Sequence, residues 1–276
     1  MRADLHVHST YSDGLYSPDE ICRQAKENGL SLISITDHDT LAGLDVKRAA
    51  AKKYGLSYVS GWEISAYAGT DKVHILGYGC TLGKAYEEFM EKRTAAAEAR
   101  ARESVAKFRQ LGIPMSLADV ENMRKDSSTP FHTMHVARAA ALYLGISAGE
   151  VYVNYLAVGK PCNSNIGRPT PEEAIDCIHA LGGIASIAHP GRIFMPIEER
   201  NALIERLVDY GVDGIEALYS THTDEETAYF LDFAKRKGLL VTGGSDTHYK
   251  DERHEIGIPA FYPSEKLLSA LFGKTE

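Results

Sequence analysis

The chain has 276 residues, a formal net charge of -8 and four cysteines. This length is enough for one large α/β domain, or for a core domain that carries an insertion. The acidic balance argues against broad binding to long nucleic acid, which depends on a basic surface. The scattered cysteines contain no CxxC pair, so they indicate neither a disulfide framework nor a thiolate zinc site. With no apolar run of roughly 20 residues and no leader-like start, we expect a cytoplasmic protein without a membrane partner.

The first 83 residues alternate β-rich runs with amphipathic helical runs, a pattern typical of βα units around a parallel sheet. A helix start follows the first of these runs, at Ser17-Pro18-Asp19-Glu20, where an N-cap residue precedes proline and two acids. Four strands are predicted in this part of the chain: Ala3–His8, Leu32–Thr36, Tyr58–Ile64 and Val73–Tyr78.

The sequence pattern becomes helical over residues 84–161, beginning with a long run rich in Ala, Glu, Arg and Lys. Shorter helical segments follow around Leu117–Arg124 and His135–Leu144, and no run has a convincing strand pattern. We therefore predict an inserted, small all-helical domain over residues 84–161, within a core domain formed by residues 1–83 and 162–276.

The alternation of strands and helices resumes at a second helix start, Thr170-Pro171-Glu172-Glu173. Three more strands are predicted at Ile184–Ala188, Gly214–Leu218 and Leu239–Thr242. Seven strands with intervening helices suggest a closed or nearly closed barrel, although an open doubly wound sheet gives the same local signals. The first strand lacks a following GxGxxG, so a dinucleotide site is not expected there.

Histidines and carboxylates stand on or directly after the predicted strands. His6 and His8 are two residues apart, so both rings project from the same face of the first strand. Because the carboxyl ends of parallel strands meet at one rim of an α/β fold, we expect the whole set to converge there. The other members of the set are Asp37, His38, Asp39, Glu63, His74, His189, Glu216, Asp246 and His248.

Nitrogen and oxygen donors without thiolate suit Mn²⁺, Fe²⁺ or Zn²⁺. A carboxylate such as Glu63 can bridge two ions, and closely spaced ions can activate water and stabilise the oxygens of a phosphoryl transition state. The donor set therefore predicts metal-dependent hydrolysis.

The residues of these motifs and their order along the chain resemble those of the polymerase and histidinol phosphatase (PHP) superfamily, over almost the whole chain. The helical stretch resembles the inserted domain of its small phosphoesterases, which act on nucleotide or ribose phosphates. The fold that the resemblance implies is an α/β fold, a distorted seven-stranded (β/α) barrel. The motifs that carry it are Asp4-Leu5-His6-Val7-His8-Ser9, Ser12-Asp13-Gly14, Thr36-Asp37-His38-Asp39, Gly61-Trp62-Glu63, Ala188-His189-Pro190-Gly191 and Ser245-Asp246-Thr247-His248.

The same resemblance implies two to three divalent ions, with Mn²⁺ expected first and Fe²⁺ or Zn²⁺ as alternatives. Histidinol phosphate phosphatases of the family commonly have a histidine where Asp13 stands, so this chain departs from that substrate. The implied ligands are His6, His8, Glu63 and Asp246 for one ion, Glu63 with His74 and His189 for a second, and Asp13, His38 and His248 for a third.

Further residues are candidates for contact with the substrate. Arg192 could bind a phosphate bidentately, or it could form a surface ion pair. His222 could bind the phosphate or protonate the leaving oxygen, or it could be a solvated loop residue, and Asp246 could accept a proton from the nucleophile. A basic lid for a second phosphate is predicted from His135, Arg138, Lys160 and Arg168. Asp37, Asp39 and Glu216 are expected to orient ligand histidines.

The sequence thus predicts an enzyme that cleaves a phosphate ester of a small nucleotide or sugar. Nucleoside 3',5'-bisphosphates and cyclic phosphodiesters are the expected substrates, and the oligomeric state cannot be read from the sequence. Two alternatives stay open. The first is an exonuclease on short oligonucleotides, which would need stacking aromatic residues and cations along a groove. The second is a metal-binding accessory module whose catalysis has decayed.

Overall fold

The computed structural model describes residues 1–124, 131–249 and 254–273 of the chain. It divides into two compact units. The first unit consists of Met1–Ala85 and Thr170–Glu276, and the second consists of Tyr86–Pro169.

The first unit holds all of the described strands, in two sheets. One sheet has the order β1-β2-β3, and the other has the order β4-β5-β6-β7-β8. The strands are β1 (Ala3–Val7), β2 (Leu32–Ile35), β3 (Ser57–Tyr58), β4 (Gly61–Ala68), β5 (Asp71–Tyr78), β6 (Ile184–Ile187), β7 (Gly214–Tyr219) and β8 (Leu240–Gly244).

The first sheet is parallel and the second is mixed, so the predicted parallel arrangement holds for only part of the strands. Strands β1 to β3 and strands β6 to β8 pair in parallel, but β5 pairs antiparallel with both β4 and β6. The cause is the tight connection at Gly69-Thr70, which leaves no room for a crossover helix. The third predicted strand also divides into β3 and β4, two strands in different sheets.

Two isolated bridges connect the edges of the sheets. Val7 of β1 pairs with Thr247, just beyond β8, and His38, just beyond β2, pairs with Glu63 of β4. The α/β class is confirmed, but the predicted closed barrel is not, because continuous strand pairing stops at these two edges.

The described helices pack mainly through short apolar faces. Both predicted helix starts are confirmed, because Ser17 and Thr170 each form a capping box with the glutamate three residues later. No described helix is long and apolar enough to cross a membrane. The helices of the first unit are α1 (Pro18–Glu27), α2 (Leu44–Lys53), α7 (Pro171–Ala180), α8 (Ile197–Tyr210), α9 (Asp224–Lys237) and α10 (Glu265–Phe272), and those of the second are α3 (Lys84–Gln110, which begins in the first unit), α4 (Leu117–Glu121), α5 (Thr133–Leu144) and α6 (Ala148–Val151).

Two apolar clusters fix the strands of the first unit. One cluster places Leu5 of β1 with Tyr78 of β5 and Phe261, and the other packs helices α1 and α2 against Ile33 and Ile35 of β2. Burial of this kind contributes about 25 cal/mol per Å² of apolar surface. These clusters hold rigidly the strands that carry the polar site.

The second unit has an apolar core of its own among its described residues. Phe108 of α3 is fully buried there, beside Ala137 and Ala140 of α5. The described segments of this unit form helices and turns, and Tyr152–Leu156 is a single turn of π-helix.

Candidate metal centre

Glu63 lies at the centre of a cluster of histidines. Its carboxylate is fully buried on β4, and both of its oxygens face imidazole nitrogens. Oε1 lies 2.6 Å from His74 Nδ1 and 3.0 Å from His189 Nε2. Oε2 lies 3.1 to 3.3 Å from nitrogens of His6, His8 and His38. One carboxylate therefore faces five histidines.

The position of Glu63 differs from the prediction that it follows a strand end, whereas His74 lies on a strand as predicted. Glu63 is near the start of β4 and His74 is in the middle of β5, where it is paired with Ser65. The segment after β2 runs beside β4, since the Asp39 N–H donates to the Glu63 carbonyl and the Glu63 N–H donates to the Asp37 carbonyl. This pairing brings His38 next to Glu63.

Asp246 completes a second group with the two histidines of the first strand. Its Oδ1 lies 3.3 Å from His6 Nε2 and 3.1 Å from His8 Nε2. The backbone holds it there, because the Asp246 N–H donates to the His6 carbonyl at 2.7 Å. Gly244 permits this close approach of β8 to β1, since a Cβ at that position would lie 2.4 Å from the His6 Cβ.

Asp13 and His248 form the exposed side of the cluster. Asp13 Oδ1 lies 3.3 Å from His248 Nε2, and its Oδ2 lies 3.8 Å from His38 Nε2. The His8 and His248 rings stack with their centroids 4.1 Å apart. The structure thus brings Asp13 together with all three of these histidines.

Three sets of donor atoms in the described residues are compact enough to hold an ion, with all their atoms within 4.8 Å of one another. His189 belongs to none of these sets, although the sequence places it with Glu63 and His74, and His38 takes that place in the geometry. The sets are His6, His8, Glu63 and Asp246; His8, Asp13, His38 and His248; and His38, Glu63 and His74.

The donor atoms themselves fit a metal. Eight of them are buried and have no hydrogen-bond partner among the described residues. Leaving so many polar atoms unsatisfied would cost about 1–3 kcal/mol for each, unless a bound cation compensates. The eight atoms are His6 Nε2, His8 Nδ1 and Nε2, His38 Nδ1, Glu63 Oε2, His74 Nε2, His189 Nδ1 and Asp246 Oδ1.

The two carboxylates at the centre of the cluster are ionised. Burial opposes this, but His74, His38 and His6 hold the pKa of Glu63 well below its ordinary value. Burial likewise disfavours the charge of Asp246, and His6 and His8 keep its pKa well below the ordinary value. The cluster therefore contains two buried carboxylate charges that can attract divalent cations.

The histidines divide into two groups by pKa. Burial lowers the pKa of His8, but Asp246 and Glu63 outweigh it and raise the pKa to about 9. Burial lowers the pKa of His6 as well, but the nearby carboxylates, chiefly Glu216, outweigh burial and raise this pKa. Burial lowers the pKa of His74 to about 4 despite Glu63, and lowers that of His38 well below its usual range. The neutral rings of His38 and His74 can bind a cation without first losing a proton.

Strained backbone is concentrated at this site. Among the described residues other than glycine, only Asp39, His189 and Asp246 have positive φ angles, of 56°, 27° and 55°. Each of these three residues lies shortly after the end of a strand, where the chain enters the cluster. Such conformations cost about 1–3 kcal/mol and are typical of functional sites.

Glu216 and Asp4 hold the ligand-bearing backbone, and the predicted orienting role of Glu216 agrees with its contacts. Its carboxylate contacts His6 Nδ1 at 3.0 Å and accepts from the His189 N–H at 2.7 Å, which turns His6 Nε2 towards Glu63. Asp4 is fully buried and accepts from the N–H groups of His6, Ser245 and Gly257. Burial raises its pKa, against these hydrogen bonds.

Hydrogen bonds join Asp37 and Asp39 to backbone and hydroxyl groups, and their role in orienting ligand histidines stays a prediction. Asp39 Oδ1 accepts from the Ser65 N–H on β4. Asp37 accepts from the N–H and hydroxyl of Ser9 and from the Ser12 hydroxyl, each at 2.7 Å. The loop held by Asp37 carries Asp13 into the cluster.

Lys47 was not predicted as part of the site. It is fully buried on α2 and pairs with Asp37 at 2.6 Å. A completely buried lysine is rare in proteins unless it is paired. Lys47 lies on an ordinary amphipathic helix, and nothing in the sequence pattern of that helix predicted that this lysine is part of the site.

Tyr219 was also missed by sequence reasoning. Its hydroxyl donates to Asp246 Oδ2 at 2.8 Å, and its ring lies 5.2 Å from that of His189. Burial and the Asp246 carboxylate raise its pKa, so the hydroxyl stays protonated. A pocket of about 180 Å³ opens beside this pair, lined by Arg192, Tyr219, Asp246, His248, Tyr249 and His254.

Arg192 and His222 differ in how they face the cluster. Arg192 is exposed in this pocket, and its guanidinium donates to Thr221 Oγ1 at 3.2 Å. His222 does not line the pocket as far as the described residues define it. Both of its ring nitrogens contact backbone at 3.1 Å, Nε2 accepting from the Gly191 N–H and Nδ1 facing the Ala217 carbonyl.

The candidates for the basic lid belong to the second unit. Lys160 and Arg138 are exposed and Arg168 is half-buried. His135 Nδ1 accepts from the His132 N–H at the start of α5. Burial, with the charges of His132 and Arg138, lowers the pKa of His135 to about 4.

Comparisons with known proteins agree with this chemistry. The PHP domain family matches residues 4–99. A 5'-3' exoribonuclease of Haemophilus influenzae is 32% identical over 258 residues, covering 92% of this chain and 92% of that protein. A phosphoribosyl 1,2-cyclic phosphate 1,2-diphosphodiesterase of Eggerthella lenta is 32% identical, covering 91% of this chain and 95% of that protein. A 3',5'-nucleoside bisphosphate phosphatase of Chromobacterium violaceum is also 32% identical, over 90% and 88%.

Solved structures are similar over nearly the full length. A metal-dependent phosphoesterase from Bifidobacterium adolescentis superposes with a TM-score of 0.73 at 27% identity, covering 98% of this chain and 94% of its own. An amidohydrolase from Chromobacterium violaceum, with bound sulfate and no metal, gives a TM-score of 0.75 at 29% identity, covering 96% and 93%.

Proposed function

Because this chain belongs to the PHP superfamily of metal-dependent phosphoesterases, we propose that it hydrolyses a phosphate ester of a small nucleotide or sugar phosphate. Two substrate classes follow from its relatives. One is a nucleoside 3',5'-bisphosphate, from which a single phosphate is removed, and the other is a cyclic phosphodiester of ribose.

The observation that carries the proposal is a group of five buried donor atoms without a hydrogen-bond partner among the described residues. Glu63 Oε2 and Asp246 Oδ1 both face His6 Nε2 and His8 Nε2, and Glu63 Oε2 also faces His38 Nδ1. His6, His8, Glu63 and Asp246 would hold one ion, and Glu63 with His38 or His189 and His74 would hold a second. Asp13 and His248, with His8 and His38, would hold a third. The mixed nitrogen and oxygen donors suit Mn²⁺, Fe²⁺ or Zn²⁺, and Mn²⁺ is the ion that we propose first.

When bound, such ions lower the pKa of water and offset the charge of a phosphoryl transition state. The remaining tasks belong to the chain's own residues. Asp246 is ionised, so its carboxylate can accept a proton at the cluster. Arg192 faces the same pocket and can donate two N–H groups to a phosphoryl oxygen pair, which would fix the ester beside Asp246.

His222 is proposed as a further contact of the phosphoryl group or of the leaving oxygen. In the described geometry its Nε2 accepts from the Gly191 N–H, so the ring would have to release this bond before it could act on substrate. Arg192 needs no such change. The second unit, with Lys160, Arg168, Arg138 and His135, is proposed as the inserted domain that selects the substrate.

The proposal is tested with purified protein that has been stripped by a chelator and reloaded with Mn²⁺. Phosphate release is measured from adenosine 3',5'-bisphosphate, ring opening to the monoester from a ribose 1,2-cyclic phosphate, and mononucleotide release from a 5'-phosphorylated oligoribonucleotide, alongside metal analysis of the active protein. We expect two to three divalent ions for each chain and turnover only in the reloaded sample. Full activity of the stripped protein would contradict the proposal.

A second candidate function is 5'-3' exonuclease activity on short RNA. The relative from Haemophilus influenzae supports it, since it matches this chain at the same 32% identity as the phosphatase and at slightly higher coverage. The net charge of -8 weighs against long nucleic acid as a substrate. Release of mononucleotides from the oligoribonucleotide at a higher kcat/KM than phosphate release from the bisphosphate would favour this function.

A further inference from the structure

The strand β7 contains an irregularity that changes which of its side chains face the cluster. Glu216 pairs with Thr242 of β8, but Leu218 pairs with the next residue, Gly243, so β7 carries one extra residue between these pairs. Side chains alternate between the faces of a regular strand, which would send Glu216 and Tyr219 to opposite sides. The bulge brings both to the same side, as bulges beside active sites commonly do.

Tyr219 is aimed at one particular atom of this site. It is only 4% exposed, and its hydroxyl donates to Asp246 Oδ2 at 2.8 Å. The other oxygen of the same carboxylate, Oδ1, faces His6 and His8 and has no hydrogen-bond partner among the described residues. The hydroxyl thus occupies one carboxylate oxygen and leaves the other for the cluster.

We propose that Tyr219 is a positioning residue that holds Asp246 as a one-oxygen ligand, with Oδ1 directed to the ion between His6 and His8. A free carboxylate can rotate or bind an ion through both oxygens, and either change would alter the coordination number and the place left for substrate. This inference rests on the proposed function, because it requires an ion at the cluster. It goes beyond that function by assigning the orientation of Asp246 to a residue that holds no ion itself.

The test compares two tyrosine variants with matched chemistry. Tyr219→Phe removes only the hydroxyl at the cluster. Tyr210→Phe removes an equivalent hydrogen bond on the surface, where the Tyr210 hydroxyl donates to Asp176 Oδ2 at the same distance of 2.8 Å. Mn²⁺ affinity is measured by calorimetry, and the coordination of Co²⁺-loaded protein is followed by its visible spectrum.

Loss of a group that orients a ligand typically weakens metal binding or activity about 10- to 100-fold. We expect Tyr219→Phe to lose Mn²⁺ affinity in this range and to change the Co²⁺ spectrum, while Tyr210→Phe changes neither. In an Asp246→Asn background, Tyr219→Phe should cause no additional loss of affinity. This comparison separates an effect through Asp246 from a general loss of structure.

The outcomes distinguish the two proposals. Wild-type protein that binds no divalent ion would overturn the proposed function, and the inference with it. Wild-type protein that binds Mn²⁺ and cleaves substrate, beside a Tyr219→Phe variant that matches Tyr210→Phe in affinity and spectrum, would overturn the inference alone. An equal loss of affinity in the wild-type and Asp246→Asn backgrounds would also overturn it.

Discussion

The pKa of each histidine in the cluster depends on its immediate neighbours more than on its being a histidine. His8 and His74 are both fully or nearly fully buried histidines close to Glu63. Their pKa values nevertheless move in opposite directions, to about 9 and about 4, because His8 also faces Asp246 whereas burial dominates at His74. A cluster with both kinds of histidine binds metal in competition with protons.

Mn²⁺ affinity should therefore depend on pH. In the metal-free protein His8 carries a proton below a pH of about 9, and this proton must leave before the ring can bind an ion. Affinity should rise about tenfold for each pH unit up to that value for each proton displaced. Calorimetry in buffers of different ionisation enthalpy measures the protons released, and zero release at pH 7 would contradict this assignment.

Asp246→Asn should lose most of the turnover while the protein stays folded. The change removes a ligand charge and the proton acceptor that faces His6 and His8. We expect kcat to fall on the order of a hundredfold or more at saturating Mn²⁺, which corresponds to about 3 kcal/mol. Steady-state kinetics with a thermal melt as the folding control checks this, and wild-type kcat would remove Asp246 from the mechanism.

Arg192→Ala and His222→Asn should separate binding from acid catalysis. Loss of the Arg192 guanidinium should lower kcat for all esters by roughly a hundredfold, since a preorganised donor to the transition state is lost.

If His222 protonates the leaving oxygen, His222→Asn should harm alkyl esters far more than p-nitrophenyl esters, whose leaving group needs little protonation. Equal losses for both esters would assign His222 to binding or to holding the Gly191 turn.

Single elements position the site through buried polar contacts as well as through apolar packing. Helix α2 is the clearest case, because Lys47 reaches from it to Asp37, and Asp37 in turn holds the loop that carries Asp13. Burial lowers the pKa of Lys47 while Asp37 opposes this, and both groups have little exposure to water. The helix and the loop are thus coupled by one buried ion pair.

Lys47→Met should destabilise the protein by about 3–5 kcal/mol, because it leaves the Asp37 charge buried without its cationic partner. The double variant Lys47→Met/Asp37→Asn should recover much of this loss, since no uncompensated charge remains. Lys52→Met, at an exposed position of the same helix, serves as the control and should change stability by no more than about 0.5 kcal/mol. Denaturant unfolding measures all three, and a single variant as stable as the control would disprove the coupling.

At the scale of the whole molecule, the proposed metal ligands and the proposed lid residues belong to different compact units. All of the compact donor sets among the described residues belong to the first unit, and the candidates for the basic lid belong to the second. Bond cleavage should therefore depend on the first unit, and the choice of substrate on the second.

Lys160→Ala and His135→Ala should raise KM for the physiological substrate far more than they lower kcat, because a binding contact is lost and the metal ligands are unchanged. Hydrolysis of p-nitrophenyl phosphate should stay close to the wild-type rate. Lys26→Ala, an exposed change on α1 in the first unit, is the control for loss of a positive charge. Equal losses in kcat for p-nitrophenyl phosphate would contradict the division of roles.

The sequence by itself determined the α/β class, the helix starts at Ser17 and Thr170, the family and the chemical nature of the donor set. These depend on local periodicity, on capping residues and on motifs that are short enough to be read along the chain. His6 and His8 are the best example, since two residues apart on a strand means one face, whatever the rest of the fold does.

Only the tertiary structure decided how the strands pair and which side chains meet. The antiparallel β5–β6 pairing, the bulge that turns Tyr219 towards Asp246, and the Lys47–Asp37 contact all join residues that are distant or out of phase in the sequence. Local periodicity carries no information about such pairings, because they are chosen by the packing of whole strands and helices. A one-residue bulge reverses the face of every side chain that follows it.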